Sequence, residues 1–289
     1  MSVISLPASA VPRPLAESWR RFSRNRTALA GLLAILCVVL LAVFAGVLAG
    51  HDPTAISRDR LLPPSAAHLM GTDNVGKDVF AGVVYGARVS LTVGILAGLT
   101  SLMIGLLMGA LAGYYGGWLD SVLMRVAEFF QIVPRFFLAI VIVALLGGGL
   151  EKTILVIGLL SWPATARIIR AQFLSIKERE MVEAAHAVGF SNWHIMVREI
   201  LPNAIAPAIV QGALDISEAI LLESGLSFFG LSNPDTPSWG EMLNRAQPFL
   251  RSAWWMSVFP GMAIFFVVLS FNLIADGLND MLNPDLKER

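Results

Sequence analysis

Two long apolar stretches without a charged residue constrain this chain more than any other feature of its sequence. Residues 28–49 and residues 89–113 contain no Asp, Glu, Lys or Arg. The hydrocarbon core of a bilayer is about 30 Å thick, and a helix of roughly 20 residues can cross it. Only 15 % of the residues are charged, whereas about 25 % is usual for a soluble domain. The sequence therefore predicts an all-α integral membrane protein.

Six segments are long and apolar enough to be predicted as transmembrane helices. They comprise residues 28–49, 89–113, 121–147, 153–170, 204–230 and 256–275. The first follows a run of arginines, as the apolar part of a signal peptide would. It is, however, longer than the roughly 7–15 apolar residues of a signal peptide, and five more segments follow. We therefore expect it to remain as a membrane helix.

The placement of lysine and arginine predicts the orientation, because cytoplasmic loops of membrane proteins are enriched in both residues. Basic side chains cluster before the first helix, between the fourth and fifth helices, and at the C-terminus. We therefore expect both termini in the cytoplasm. The predicted segments are a cytoplasmic N-terminal segment (1–27), the first helix with an external loop (28–88), a transmembrane domain (89–280) containing a cytoplasmic excursion (172–203), and a cytoplasmic tail (281–289).

Several functions are not expected of this chain. Its net charge is zero, so nothing in its overall charge indicates nucleic-acid binding. Residues 71–78 nearly match a phosphate-binding loop, but Asp78 stands where a hydroxyl is needed to reach Mg²⁺. Cys37 is the single cysteine, and the four histidines lack the spacing of metal ligands. We therefore expect no nucleotide, metal or other cofactor in this chain.

The second predicted helix carries glycines four residues apart. They are Gly94 and Gly98, followed by Gly105, Gly109 and Gly113. Small residues on one helix face let two helices approach closely in a membrane. The sequence predicts a packing role for them.

The most specific pattern lies in the predicted cytoplasmic excursion. It consists of Glu183, Ala184, Ala185, Gly189, Leu201 and Pro202. The pattern predicts a helix from about residue 175, a break at the glycine, and a second short helix that stops before the proline. The two alanines would leave a small, smooth surface suited to a groove on another protein. The alternative is an ordinary loop helix, because alanine is simply a good helix former.

This pattern resembles the EAA…G…LP motif of the permeases of binding-protein-dependent ABC importers. The resemblance implies that the segment is the coupling helix that docks on an ATPase subunit. One departure is Glu199, two residues before the Leu-Pro pair, where the family pattern favours an aliphatic residue. Further stretches resemble the second permease subunit of the dipeptide/oligopeptide/nickel branch, namely residues 24–26, 68–91, 234–243, 253–255 and 271–284.

The resemblance implies a six-helix permease of the type I importer fold in the bacterial inner membrane. It also implies a homologous permease, two ATPase subunits and an external solute-binding protein as partners. ATP and Mg²⁺ would bind to the ATPase subunits, so no enzymatic activity is expected here. Peptides are the expected cargo, with nickel chelates, opines or other small conjugates as alternatives. An ion-coupled secondary carrier is the alternative from another class, although a lone carrier has no use for a coupling helix.

Polar side chains predicted at membrane depth are candidates for the lining of a translocation path. They are Gln211, Asp215 and Glu218 in helix five, and Arg125, Glu128, Gln131 and Arg135 in helix three. Ionisable residues in membrane helices mark either a path or an ion pair, and the sequence leaves both open. Pro134 predicts a kink or break in helix three. Single serines such as Ser101 and Ser161 are expected to bond neighbouring carbonyls.

Overall fold

The structure is a computed structural model that describes residues 20, 22–50, 52–231 and 236–282. The helices are α1 (Arg26–Val43), α2 (Ala45–Leu48), α3 (Val79–Tyr115), α4 (Gly117–Ile132), α5 (Arg135–Leu146), α6 (Leu150–Ile176), α7 (Glu180–Ala187), α8 (Asn192–His194), a π-helical segment (Ile195–Ile200), α9 (Leu201–Phe228), α10 (Trp239–Ala246) and α11 (Trp255–Leu282). The predicted N-terminal segment before residue 20 and the predicted tail after Leu282 lie outside the described residues.

Five of the described helices are long and apolar enough to cross a membrane. They are α1, α3, α6, the continuous helix from Asn192 to Phe228, and α11. The sixth predicted span is a pair of helices, α4 and α5, which meet at an angle of 87°. The six-helix prediction is confirmed if this pair counts as one span.

The break between α4 and α5 has a local cause. Val133 adopts an extended conformation and Pro134 precedes the first residue of α5. Proline disfavours a helical conformation in the residue before it, because its ring clashes with that residue's backbone. The predicted break at Pro134 is therefore confirmed.

The glycines of α3 pack directly against its neighbours α6 and α9. A Cβ atom added to Gly109 would lie 2.5 Å from the carbonyl oxygen of Ala166 in α6. A Cβ atom added to Gly94 would lie 2.5 Å from Cγ1 of Ile220 in α9. The predicted packing role of these glycines is confirmed, and α3, α6 and α9 form the centre of the bundle.

The long connections gather at one end of the bundle. Trp255 Nε1 donates a 3.1 Å hydrogen bond to the Thr72 carbonyl, and Trp239 Nε1 donates one of 2.9 Å to the Val83 carbonyl. We call this end, with residues 52–78 and 236–254, the loop end. Residues 177–191 lie at the other end, which we call the coupling end, where Tyr114 donates a 3.0 Å hydrogen bond to Asn192.

Candidate functional site

The helix α7 at the coupling end stops at a glycine, as the sequence predicts. Gly189 has a φ of +88°, a left-handed conformation that glycine adopts most easily. The Gly189 N–H donates to the His186 carbonyl, and the Phe190 N–H donates to the Ala185 carbonyl. These two bonds form a Schellman motif, which satisfies carbonyls at the end of a helix. The helix begins at Glu180 rather than near residue 175, because Arg179 is extended.

One alanine of the coupling segment is turned inward. Ala185 is buried together with Val182, Ile195 and Ile200, whereas Glu183 and Ala184 are exposed. The expectation that both alanines form an outward surface is therefore wrong for Ala185. Its small side chain instead lets α7 pack closely on the π-helical segment.

The second short helix does not stop before Pro202, so that prediction is wrong. The chain continues from α8 through the π-helical segment into α9 without a break. Pro202 is the second residue of α9, which follows directly on the π-helical segment. The preceding π-helical turns are wider than α-helical turns and leave room for the proline ring. Leu201 is half-buried at this junction and Pro202 is exposed.

Large apolar side chains are exposed around the turn after α7. Val188 is 74 % exposed and Trp193 is 66 % exposed. The Phe190 ring is also exposed and stacks on the His194 ring with centroids 4.4 Å apart. We call residues 184–193 the tip. Exposed apolar groups of this size are typical of an interaction surface.

The carboxylate of Asp215 ties the three central helices together. Asp215 is 1 % exposed. Its Oδ2 atom accepts hydrogen bonds from Ser101 of α3 (2.8 Å) and from Thr165 of α6 (3.0 Å). Its Oδ1 atom accepts one from Gln211, one turn earlier in α9 (2.8 Å). The expectation that Ser101 bonds a neighbouring carbonyl is wrong, whereas Ser161 does donate to the Ile157 carbonyl.

Glu218 forms an ion pair across the bundle. Its Oε1 atom lies 2.5 Å from Nη2 of Arg135, at the start of α5, and the two side chains are 40 % and 29 % exposed. Beside this pair lies an open cavity of about 300 Å³. The cavity is lined by Gln131, Val133, Pro134, Arg135, Leu160, Ser161, Pro163 and Ala164.

Two other candidates for the path lie elsewhere. Arg125 and Glu128 form a 3.1 Å ion pair with each other, and their side chains are 85 % and 49 % exposed. Neither contacts Asp215 or the Arg135–Glu218 pair in the described part of the chain. The structure therefore separates the candidates into the Asp215 cluster, the Arg135 cavity with Gln131, and a surface pair on α4. Their roles in transport stay predictions.

Two arrangements of ionisable side chains were missed by our sequence analysis, one of them buried and one half-buried. Glu223 is buried in α9 and accepts a 2.6 Å hydrogen bond from Ser227, one turn later. Their spacing of four residues could have indicated this hydrogen bond within one helix. Asp120 of α4 holds Arg170 of α6 through contacts of 2.5 and 2.6 Å. No local pattern joins those two residues, which are 50 positions apart.

Backbone N–H groups of residues 71–78, the near match to a phosphate-binding loop, already donate hydrogen bonds within the loop. Asp73 Oδ1 accepts hydrogen bonds from the N–H groups of Val75 and Lys77. Asp78 caps α3 through the Ala81 N–H and contacts His68 Nδ1 at 2.8 Å. A phosphate-binding loop needs free N–H groups pointing at the phosphate. The loop is instead a self-contained turn at the loop end.

Comparison with known families decides the class of this bundle. Residues 105–288 match the family described as the inner membrane component of binding-protein-dependent transport systems. The chain belongs to this family. Residues 13–64 of the permease also match the N-terminal transmembrane domain of oligopeptide transport permease C. The predicted family and the predicted inner-membrane location are thereby confirmed.

Individual relatives match the permease over nearly its whole length. It is 43 % identical to the dipeptide transport system permease of Escherichia coli K12, over 99 % of this chain and 97 % of that protein. It is 39 % identical to the glutathione transport system permease of Pectobacterium atrosepticum, over 96 % and 93 % of the two chains. A solved structure of an inward-facing methionine ABC transporter matches with a TM-score of 0.55 at 18 % identity, over 68 % of this chain and 95 % of that one. This structural likeness confirms the fold.

Proposed function

We propose that this permease is one membrane subunit of an ATP-driven importer of dipeptides or other short peptides. The observation that carries the proposal is the 43 % identity to a dipeptide permease along 99 % of the chain. The similarity to a glutathione permease supports a short peptide as the cargo, since glutathione is itself a tripeptide.

The tip is the proposed docking surface for an ATPase subunit. Its exposed groups Ala184, Val188 and Trp193 would enter a groove on that subunit, with Glu183 fixing the register. Behind them, Val182 and Ala185 pack on the segment that runs directly into α9. A displacement of α7 is therefore passed to α9 through packed side chains and a continuous helix. This connection would couple nucleotide-driven movement to the polar residues of α9.

The permease would work in a larger assembly. We propose a homologous permease beside it, two ATPase subunits at the coupling end, and a solute-binding protein at the loop end. ATP and Mg²⁺ would bind to the ATPase subunits, and this chain would catalyse no reaction. An ion-coupled carrier is the less suitable description, because both oxygens of Asp215 already accept hydrogen bonds from uncharged donors. These donors stabilise the carboxylate and use the oxygens that a coupling cation would need.

Cysteine cross-linking tests the docking proposal. In a Cys37→Ser background, Ala184→Cys at the tip should cross-link to the ATPase subunit of the assembled transporter. Ala55→Cys is the matched control, since Ala55 is also exposed but lies at the loop end. It should cross-link to the solute-binding protein or to nothing. Cross-linking of the ATPase subunit through position 55, but not through position 184, would refute the proposed arrangement.

A further inference from the structure

The geometry points to a binding site for the charged ends of the peptide at the Arg135–Glu218 pair and its cavity. This inference rests on the proposed function and names the chemistry that the path would use. Glu218 would accept the ammonium group of a peptide, and Arg135 would bind its carboxylate. The ion pair would then be the resting state of a site that opens to receive a ligand of opposite polarity at each end.

The Arg135–Glu218 pair is partly exposed although it lies at membrane depth. Glu218 lies in the middle of a membrane-spanning helix, roughly two turns or more from either end of α9. Both side chains nevertheless remain partly exposed, at 40 % and 29 %. Charged groups in membrane helices face a bundle interior or a water-filled cavity, because exposure to lipid is costly. This face of the chain is therefore directed toward an aqueous path or a partner permease.

The cavity supplies the space and the remaining polar groups. Its volume of about 300 Å³ lies at the lower end of the roughly 300–1,000 Å³ of small-molecule sites. Gln131 lies on the opposite side of the helix break and offers an amide to the peptide bond.

The charges balance in both states of the site. Without a peptide, Arg135 and Glu218 neutralise each other, so neither charge is left alone at membrane depth. With a peptide bound, each exchanges its partner for one end of the ligand, and the net charge stays unchanged. A buried charge without a partner is strongly unfavourable. The pair therefore suits a ligand with one positive and one negative end, as a free dipeptide has.

Two other ion pairs in the described residues do not share these features. Arg125 and Glu128 are three residues apart on one exposed helix face. Neither residue lines the cavity at the helix break. Asp120 and Arg170 hold α4 against α6 through two short contacts to a half-buried guanidinium. Only the Arg135–Glu218 pair, among those in the described residues, joins a helix break, a polar cavity and two membrane spans.

Protection of a cysteine from a thiol reagent tests the site without the solute-binding protein. The sample is the nucleotide-free complex of the two permeases and the two ATPase subunits in detergent, carrying Cys37→Ser and Ala164→Cys. Ala164 lines the cavity but carries no polar group of the site. The probe is dialanine, compared with dialanine that is acetylated at its N-terminus and amidated at its C-terminus. ATP-driven dialanine uptake by the same variant is measured in parallel.

We expect dialanine to slow labelling of the A164C thiol and the blocked peptide to have at least about tenfold weaker apparent affinity, because it forms no charge-assisted contacts. The paired change Arg135→Gln with Glu218→Gln should abolish protection by dialanine. It removes both charges together, so it leaves no orphaned charge to disturb assembly. The paired change Asp59→Asn with Arg60→Gln, which removes one charge of each sign from exposed side chains at the loop end, is the matched control and should leave protection intact.

Each outcome separates this inference from the proposed function. Equal protection by free and blocked dialanine would overturn the charge-recognition site, as would full protection in the Arg135/Glu218 double variant. Uptake of dialanine without any protection would also overturn the site, while leaving the proposed function standing. If the double variant fails to assemble, the comparison of free and blocked peptide on the A164C protein alone decides. Absence of dialanine uptake by the wild-type transporter would refute the proposed function itself.

Discussion

Replacement of Gly189 by valine tests the link between the tip and transport. Gly189 has a φ of +88°, and an added Cβ atom would meet nothing within 4 Å. The cost of Gly189→Val is therefore conformational strain alone, without a clash. Holding a non-glycine residue in this region costs about 1–3 kcal/mol. That free energy corresponds to a roughly 5- to 150-fold shift against the turn seen here.

The strain acts on the coupling end and leaves the membrane helices unchanged. The two hydrogen bonds that end α7 depend on the left-handed conformation at Gly189. We expect Gly189→Val to lose most of the ATPase stimulation by loaded binding protein, with normal recovery of the permease. Gly189→Asn is the matched control, because asparagine tolerates the left-handed region. Reconstituted ATPase activity with and without substrate is the assay.

Two results would refute this reasoning. Wild-type stimulation in Gly189→Val would mean that the turn after α7 has no part in coupling. Equal defects in Gly189→Val and Gly189→Asn would mean that side-chain bulk matters rather than backbone strain. Loss of the permease from the membrane would show that the turn is needed for folding.

Three further predictions concern the bundle. Gly109→Ala should lower the Tm of the purified permease, because the new methyl group overpacks against Ala166 at a cost of about 1–3 kcal/mol. Gly261→Ala is the control and should not lower the Tm, since a Cβ atom there would meet nothing within 4 Å. Asp215→Ala should reduce recovery of folded permease on size-exclusion chromatography, because the buried donors Ser101 and Thr165 lose their acceptor at about 1–3 kcal/mol each. Unchanged recovery would refute the structural role. Burial raises the pKa of the Glu241 carboxyl above its usual 4.5, so this group's stabilising contribution is present at low pH and is lost as the pH rises through the raised pKa. Glu241→Gln should therefore gain thermal stability relative to wild type with rising pH, and a constant difference would contradict this.

The membrane spans and both backbone breaks could be predicted because their causes are local. An apolar run of sufficient length, a proline at position 134 and a glycine at position 189 each act on their own neighbourhood. The spacing of the glycines in α3 likewise predicts close packing against other helices. The sequence did not show which helices they would meet.

The errors arose where tertiary contacts override a local pattern. Ser101 and Asp215 are 114 positions apart, so no nearby sequence could show that they bond. Ala185 is turned inward because Val182, one turn away, packs on the π-helical segment. Pro202 predicts the end of a helix, yet the wider turns before it let the helix continue.

Uptake of radiolabelled dialanine by proteoliposomes containing the complete transporter tests most directly whether this permease belongs to an ATP-driven peptide importer. Uptake should require both ATP and the solute-binding protein. It should fall to background in Ala184→Arg, because a bulky charged side chain at the tip would prevent docking on the ATPase subunit, and should persist in Ala184→Ser, which keeps the side chain small. Uptake that continues without ATP and follows an imposed proton or sodium gradient would show that transport is ion-coupled and not ATP-driven.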